Sequence, residues 1–160
     1  MDYKYLGNFS WLLDNKLAGC DLPGRYNHID EDLGYLHSRG VRALITLTEQ
    51  KLSSPVLKKF SYLHMPIVDM TAPGEQQIDS FVQFVDRMWA QKKPSVVHCH
   101  AGIGRTGTML ACYLVSKGHE PPKALDLLKQ KRGYGLFTPE QYEAVELYFW
   151  RKKAASPRRK

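Results

Sequence analysis

The chain has 160 residues, 43% of them hydrophobic, and a formal net charge of +7, which fits one folded domain with a real core. No apolar run approaches the roughly 20 residues of a membrane span, and the first residues lack the hydrophobic region of a signal peptide. Three cysteines do not make a disulfide framework. We therefore expect a cytoplasmic protein, in a reducing compartment.

The positive charge is concentrated at the C-terminal end. Residues 151–160 carry six positive and no negative charges, which leaves +1 for residues 1–150. The basic character therefore belongs to a tail and not to a domain face, and we expect the domain not to bind nucleic acid. The sequence predicts a folded domain over residues 1–150 and a disordered basic tail over 151–160, with a nuclear address as the alternative role of that tail.

The N-terminal half alternates short strands with helices. Residues 9–20 predict two strands around a turn. Apolar residues at i, i+4 and i+7 predict an amphipathic helix from Ile29 to Gly40. The apolar run Val41–Thr48 is typical of a buried strand, and a short basic helix over Pro55–Phe60 precedes a strand over Tyr62–Ile67.

Helices dominate the second half. The first helix of this half ends near Lys92, before Pro94. Its expected apolar face is Ile78, Phe81, Val82, Val85 and Trp89. A strand over Ser95–Val97 leads through a short loop to an apolar helix over Thr106–Val115.

Two further helices are predicted after this one. One runs from Pro121 to Gly133. The other opens on a capping box over Thr138–Gln141, and its expected apolar positions are Tyr142, Val145 and Phe149.

The order of elements predicts an α/β fold. Strands that alternate with helices favour a central, mostly parallel sheet flanked by helices. Ligands of such open sheets lie at the carboxyl ends of the strands. The loop between the strand Ser95–Val97 and the following helix is therefore the expected binding site.

That loop has the features of an anion-binding site. It comprises His100, Ala101, Gly102, Ile103, Gly104 and Arg105, and is called the phosphate loop here. Backbone N–H groups converge where such a loop opens a helix, and its two glycines permit turns closed to other residues. Arg105 adds a planar, permanently charged fork that suits two oxygens of a phosphate.

Cys99 stands at the base of this loop. A helix N-terminus and a nearby arginine stabilise a thiolate, so the sequence predicts a cysteine nucleophile that faces a bound phosphate. A buried, inert cysteine before a glycine-rich turn is the alternative. It does not explain an arginine six positions on, at the start of a helix.

The segment His98-Cys99-(five residues)-Arg105-Thr106 resembles the signature loop of the cysteine-dependent protein tyrosine phosphatases. The run Gly104–Val115, with Asn8–Trp11, Leu17–Gly19 and Ile78–Gln83, is similar to the smallest atypical dual-specificity phosphatases. The similarity extends from about Asn8 to about Phe149. It implies the phosphatase fold, metal-free hydrolysis without a cofactor, and a cysteinyl-phosphate intermediate.

The general acid implied by this resemblance is Asp69. It follows the predicted strand Tyr62–Ile67, in a loop that a parallel sheet would bring near Cys99. From the residues alone, a surface turn aspartate is the more common outcome. The resemblance adds the matching context Ile67-Val68-Asp69.

The resemblance also implies three supporting residues. His98 would tune Cys99 and order the loop, and the Thr106 hydroxyl would bind the Cys99 sulfur as it leaves. Gln141 would place the attacking water, or would only complete the capping box, and the sequence leaves both open. The run His98-Cys99-His100 lacks a second ligand pair for a metal. A regulatory disulfide between Cys20 and Cys99 is also left open.

The resemblance predicts a monomeric protein phosphatase that acts on phosphorylated proteins or peptides. This chain lacks a clear match to the segment that deepens the pocket of longer tyrosine phosphatases, so we expect a shallow pocket that admits phosphotyrosine and leaves phosphoserine and phosphothreonine open. Three alternatives remain: an RNA 5′-triphosphatase, a phosphoinositide phosphatase, and a phosphate-binding module without turnover. The presence of Asp69 argues against the triphosphatase, and the absence of lysines in the phosphate loop argues against the phosphoinositide phosphatase. The presence of both Cys99 and Arg105 argues against a module without turnover.

Overall fold

The computed structural model describes residues 6–156, in which one sheet carries helices on both faces. Each strand has four residues: β1 Ser10–Leu13, β2 Leu17–Cys20, β3 Ala43–Thr46, β4 Ser61–His64 and β5 Ser95–His98. The helices are α1 Ile29–Ser38, α2 Glu75–Ala90, α3 Gly104–Ser116, α4 Pro121–Arg132 and α5 Pro139–Ala155. A short 3-10 helix spans Pro55–Lys59.

The strand order is β1-β2-β5-β3-β4, and among these described strands only the β1–β2 pair is antiparallel. The predicted α/β fold with a mostly parallel sheet is thus confirmed. In the central strand, His98 lies between Cys20 of β2 and Thr46 of β3. The carboxyl ends of these three parallel strands therefore meet at one edge, where the segments that follow them come together.

The central strand is buried on both faces, as its apolar sequence requires. Val96 packs into a layer with Leu33 and Leu36 of α1, while Val97 packs into the larger layer that contains Phe81 of α2 and residues of α3 and α5. Helix α3 is the centre of this larger layer, because every residue from Gly104 to Val115 is buried. The structure thus fixes the start of α3 firmly against the end of β5.

Two predicted strands are shorter than expected. The Val41 N–H donates to the Leu36 carbonyl at 3.1 Å and so closes α1, and β3 begins only at Ala43. Strand β4 ends at His64, ahead of Pro66, which has no N–H to donate to a neighbouring strand.

Two predicted helix faces also need correction. Trp89 is 44% exposed and lies under the Lys16 ammonium, 5.6 Å from the ring centre, so it does not complete the apolar face of α2. In α5, Tyr142 is 37% exposed. The buried positions of this helix are Gln141, Ala144, Val145 and Tyr148.

The predicted domain boundary after residue 150 falls inside α5. Residues 151–155 are helical, so the prediction that they are disordered is wrong. Arg151 holds this last turn, because Nη1 and Nη2 donate to the two carboxylate oxygens of Asp79 on α2, each at 3.1 Å. Residues 157–160 of the predicted tail lie outside the described residues.

Among the described residues, no helix has the length and apolar character needed to cross a membrane. This agrees with the absence of a long apolar run in the sequence.

The ion pair at the end of α5 predicts a stability effect. Arg151→Met removes a two-pronged contact between helices, and because both side chains are partly exposed we expect a loss of only about 1 kcal/mol in the free energy of unfolding. Lys152→Met, at the exposed neighbouring position, should change it by less than about 0.5 kcal/mol. Urea unfolding measures both, and equal effects would show that the Asp79 contact contributes nothing.

Candidate active site

The predicted site lies at the carboxyl end of β5. Cys99 follows the strand directly and is 3% exposed, and α3 begins at Gly104. The phosphate loop therefore crosses from the central strand to the central helix. This is the position in an α/β sheet where both the strand end and the helix N-terminus are available to a ligand.

Three successive carbonyl groups of the phosphate loop are bound from outside. The His100 carbonyl accepts from the Leu22 N–H at 3.0 Å, the Ala101 carbonyl from Asn8 Nδ2 at 2.7 Å, and the Gly102 carbonyl from Arg132 Nη1 at 2.7 Å. The C=O and the next N–H of a trans peptide unit point in opposite directions. The N–H groups of residues 101–103 consequently face the inside of the loop.

The first turn of α3 adds to these inward N–H groups. The N–H groups of residues 104–106 open the helix and have no partner in a preceding turn. Gly102 has φ +72°, and a Cβ there would lie 2.5 Å from the Cys20 carbonyl oxygen, so the loop requires glycine at this point. The result is a ring of amides around the position above Cys99, suited to a phosphate.

The three cysteines are free, and two of them have a different environment from Cys99. Burial raises the pKa of Cys20 and of Cys112 far above the ordinary value of a thiol, so both remain protonated. Neither stands at a helix N-terminus. The disulfide between Cys20 and Cys99 stays a prediction.

The guanidinium of Arg105 is 3% exposed and is held by three oxygen atoms. Nη1 donates to Glu49 Oε1 at 2.6 Å and to the Ile67 carbonyl at 2.9 Å, while Nη2 lies 3.2 Å from Asp69 Oδ1. These contacts fix the plane of the fork beside the phosphate loop. The predicted acid and the predicted phosphate ligand are therefore adjacent.

Asp69 is the exposed member of the ion pair with Arg105, and 65% of its side chain is accessible to solvent. Its Oδ1 also accepts from the Met70 N–H at 2.9 Å, and Met70 has the left-handed φ of +66°. This turn aims the carboxylate at Arg105. The structure thus brings Asp69 to the site as expected, while its role as general acid stays a prediction.

Glu49 is a site residue that the sequence reasoning missed. Hydrogen bonds from its own backbone and from Arg105 lower the pKa of Glu49, so it stays ionised beside the guanidinium. A signal was present, because Glu49 follows β3 and the carboxyl ends of neighbouring parallel strands share one edge.

His98 lies beneath the site and is fully buried. Its Nδ1 lies 2.9 Å from the Cys99 carbonyl, which can only accept, and Nε2 lies 2.7 Å from Thr46 Oγ1. The neutral ring therefore donates a hydrogen bond through Nδ1 and accepts one at Nε2 from the Thr46 hydroxyl. Burial, with the nearby charge of Arg105, lowers the pKa of His98 to about 4, so the histidine orders the base of the loop as a neutral group.

The other two supporting residues occupy defined positions. Thr106 is buried, and its hydroxyl makes no hydrogen bond within residues 6–156, so the predicted contact with the Cys99 sulfur is not formed in this structure. Gln141 forms the predicted capping box, and its amide also lies against Gly104, whose missing side chain leaves the room. Its amide nitrogen points at the Thr71 carbonyl, 3.4 Å away. Placement of a water by Gln141 stays a prediction.

A cleft of about 530 Å³ adjoins the phosphate loop. Arg105, Asp69 and the exposed His100 lie at the loop side of the cleft. Its walls come from the segment after β3, the segment after β2 and the start of α1. The wall residues are Leu22, Ile29, Thr48, Glu49, Gln50, Lys51, Leu52 and Ser53.

Comparison with known proteins identifies the family. Residues 18–119 match the family profile described as "Polymorphic toxin system, DSP-PTPase phosphatase". The chain belongs to the DSP-PTPase phosphatase family. The matched segment begins within β2 and contains the Asp69 loop and the whole phosphate loop.

Individual relatives agree with this membership. Tyrosine-protein phosphatase cdc-14 of Caenorhabditis elegans is 25% identical over 88% of this chain and 21% of its own length. Phosphatidylglycerophosphate phosphatase PTPMT1 of Arabidopsis thaliana is 32% identical over 74% of this chain and 37% of its own length. The chain thus spans well under half of either relative.

A solved structure shows the same architecture over nearly the full domain. The active form of Tk-PTP superimposes with a TM-score of 0.79 and 26% sequence identity, covering 90% of this chain and 97% of that chain. The predicted phosphatase fold is therefore confirmed.

The buried neutral His98 predicts a pH-dependent stability. Its folded pKa of about 4 lies below the ordinary 6.5, so the unfolded chain binds the proton more readily and stability falls as the pH drops from 6.5 toward 4. Between pH 7.5 and pH 5 the contribution lost is about 2 kcal/mol. In His98→Gln, urea unfolding should show a correspondingly smaller loss over this range.

His119→Gln is the matched control, because this histidine lies beyond α3 and away from the site. It should retain the pH dependence of the parent. If His98→Gln also retains it, another buried group is responsible.

Proposed function

We propose that this chain is a metal-free protein phosphatase that hydrolyses phosphotyrosine through a cysteinyl-phosphate intermediate. The observation that carries the proposal is the outward binding of three successive loop carbonyls, which turns the intervening amides toward a ligand above Cys99. Arg105 stands beside this ring with its fork already oriented. Such an arrangement suits the equatorial oxygens of a phosphoryl group in the transition state.

In the first step, the Cys99 thiolate attacks phosphorus and the bond to the leaving oxygen breaks. The leaving oxygen keeps the bonding electron pair and takes a proton from the carboxyl group of Asp69. Asp69 is near enough to Arg105 for this role, and a phosphate that binds the guanidinium would compete for the same donor. Substrate binding would therefore release the Asp69 carboxylate from Arg105, and the released group takes up a proton from solvent and passes it to the leaving oxygen.

In the second step, water attacks the phosphorus of the cysteinyl phosphate and the sulfur–phosphorus bond breaks. The Asp69 carboxylate takes a proton from the water, and Cys99 returns as a thiolate. Inorganic phosphate then leaves the ring of amides. No electron transfer or co-reactant other than water is needed.

The cleft beside the phosphate loop supports phosphotyrosine as the substrate. Leu22, Ile29 and Leu52 give it an apolar wall next to Arg105. An aromatic ring would cover this wall, whereas the short side chains of phosphoserine and phosphothreonine would leave it exposed to water. We therefore expect faster hydrolysis of a phosphotyrosine peptide than of a phosphoserine peptide.

A phospholipid phosphatase is the second candidate. The relative PTPMT1 is named for phosphatidylglycerophosphate, and the cleft carries Lys51 and His100, which suit a second anionic group on a lipid headgroup. A side-by-side comparison of a phosphotyrosine peptide, a phosphoserine peptide, 5′-triphosphate RNA and a phosphoinositide distinguishes the candidates. A clear preference for the lipid would overturn the protein phosphatase proposal.

A cytoplasmic location, with the nucleus left open by the basic C-terminal residues, and a monomeric state also belong to this proposal. Cell fractionation and size-exclusion chromatography test them.

Replacing the nucleophile should separate binding from turnover. Cys99→Ser is expected to abolish hydrolysis while a phosphotyrosine peptide still binds, because the amide ring and Arg105 remain. Steady-state assays with para-nitrophenyl phosphate measure the loss of hydrolysis, and a titration with the phosphotyrosine peptide measures the retained binding. Turnover close to that of the parent would refute the assignment of Cys99.

Replacing the proposed acid should change rates according to the leaving group. Asp69→Ala is expected to lose roughly 10²–10⁴-fold in kcat on phosphotyrosine and much less on para-nitrophenyl phosphate, whose good leaving group needs little protonation. Kinetic assays on both substrates provide the measurement.

Glu49→Ala is the matched control, because Glu49 also binds Arg105 but is not proposed as an acid. It should reduce hydrolysis of the two substrates by the same factor. Equal losses in Asp69→Ala would mean that Asp69 acts only through Arg105.

A further inference from the structure

We propose that Asn8 and Arg132 are positioning residues for the phosphate loop. Neither belongs to the signature segment, and each binds one loop carbonyl from outside. Their function is to keep two neighbouring peptide units turned so that the N–H groups of Gly102 and Ile103 face the phosphate. This inference deepens the proposed function and rests on it.

Arg132 comes from the C-terminal end of α4 and is 6% exposed. Nη1 donates to the Gly102 carbonyl at 2.7 Å, Nη2 to the Asn8 carbonyl at 2.7 Å, and Nε to Ser10 Oγ at 2.9 Å. A planar guanidinium supplies three donors in fixed directions, which a lysine ammonium cannot do. Arg132 therefore ties the loop to the segment that precedes β1.

Gly19 makes room for this contact. A Cβ at Gly19 would lie 2.7 Å from the guanidinium carbon of Arg132. The glycine on β2 thus allows the arginine to pass across the sheet to the phosphate loop. This explains a small residue within a buried strand that otherwise favours larger side chains.

Asn8 holds the neighbouring peptide unit. Its Nδ2 donates to the Ala101 carbonyl at 2.7 Å and to Asp21 Oδ1 at 3.1 Å, and its Oδ1 accepts from the Tyr134 hydroxyl at 2.6 Å. Hydrogen bonds on both ends of the amide fix its orientation. The φ of +53° at Asn8 places the side chain in this position, in a backbone region that asparagine tolerates better than most residues.

Loss of either contact would weaken the binding of an anionic ligand more than it would destabilise the fold. An unbound peptide unit can rotate, and rotation replaces an inward N–H with a carbonyl oxygen that repels an anion. Because neither side chain reaches into the loop, they act through its backbone. Each should therefore alter oxyanion affinity and the reactivity of Cys99 together.

The test compares Arg132→Met and Asn8→Gly with the parent. Methionine keeps much of the alkyl volume, and glycine accepts the positive φ, so each removes mainly the donor groups. We expect the inhibition constant of tungstate to rise about tenfold in Arg132→Met and about fivefold in Asn8→Gly, because each variant loses its one hydrogen bond to the phosphate loop. The rate of Cys99 alkylation by iodoacetamide at pH 6, relative to pH 9, should fall in both.

Two matched controls separate positioning from general destabilisation. Arg151→Met removes an arginine ion pair between α2 and α5, and Asn15→Gly replaces another left-handed asparagine, in the exposed β1–β2 turn. Both should keep the tungstate inhibition constant and the alkylation ratio within twofold of the parent. All measurements are made where thermal unfolding shows each variant to be folded.

The proposal is overturned if Arg132→Met and Asn8→Gly are folded and bind tungstate as the parent does. Should Arg132→Met fail to fold, Asn8→Gly and Tyr134→Phe decide, since the latter removes only the hydroxyl that orients Asn8. Unchanged tungstate binding in both would then refute it. Hydrolysis by the parent protein tests the substrate assignment, and tungstate binding by the variants tests the positioning role. Failure of one of these proposals is therefore distinguishable from failure of the other.

Discussion

The phosphate loop depends on hydrogen bonds made to its outer side. Three carbonyl groups accept from the Leu22 backbone, the Asn8 amide and the Arg132 guanidinium, and these contacts determine where the opposite N–H groups point. The donors come from the segments before and after the first two strands and from the end of α4. The sheet and helices thus serve to bring three distant donors to one loop.

The second requirement is a guanidinium that is oriented before a ligand binds. Arg105 is buried, and its position is determined by Glu49, by the Ile67 carbonyl and by Asp69. A group oriented before binding loses little conformational freedom on binding, which favours electrostatic stabilisation of the transition state. His98 adds to this order from below, because the neutral ring links the Cys99 carbonyl to β3.

Much of the fold could be predicted from the sequence, since short apolar runs and helix caps are local signals. The capping box at Thr138 and the end of α4 at Gly133 are confirmed. Strand ends were less predictable because they depend on hydrogen-bond partners elsewhere in the fold. The N–H of Val41, for example, donates to α1 and not to a neighbouring strand. Arg151 appeared to belong to a tail because its carboxylate partner lies 72 positions away.

The candidate site was predictable where its residues are contiguous, from His98 to Thr106, and where resemblance supplied Asp69. The supporting residues were not. Asn8 and Arg132 are 124 positions apart, and neither stands in a pattern whose spacing implies a contact with the loop. Glu49 was within reach of reasoning from strand order, because it follows β3 at the edge where Cys99 follows β5.

A site built from main-chain amides has a consequence for sequence variation. In the proposed reaction the phosphate binds main-chain N–H groups and not the side chains at positions 100, 101 and 103, and His100 is exposed beside the cleft. We therefore expect these three positions to tolerate substitution better than position 102, which is restricted to glycine by the Cys20 carbonyl. A library confined to them would explore substrate preference while leaving the catalytic framework intact.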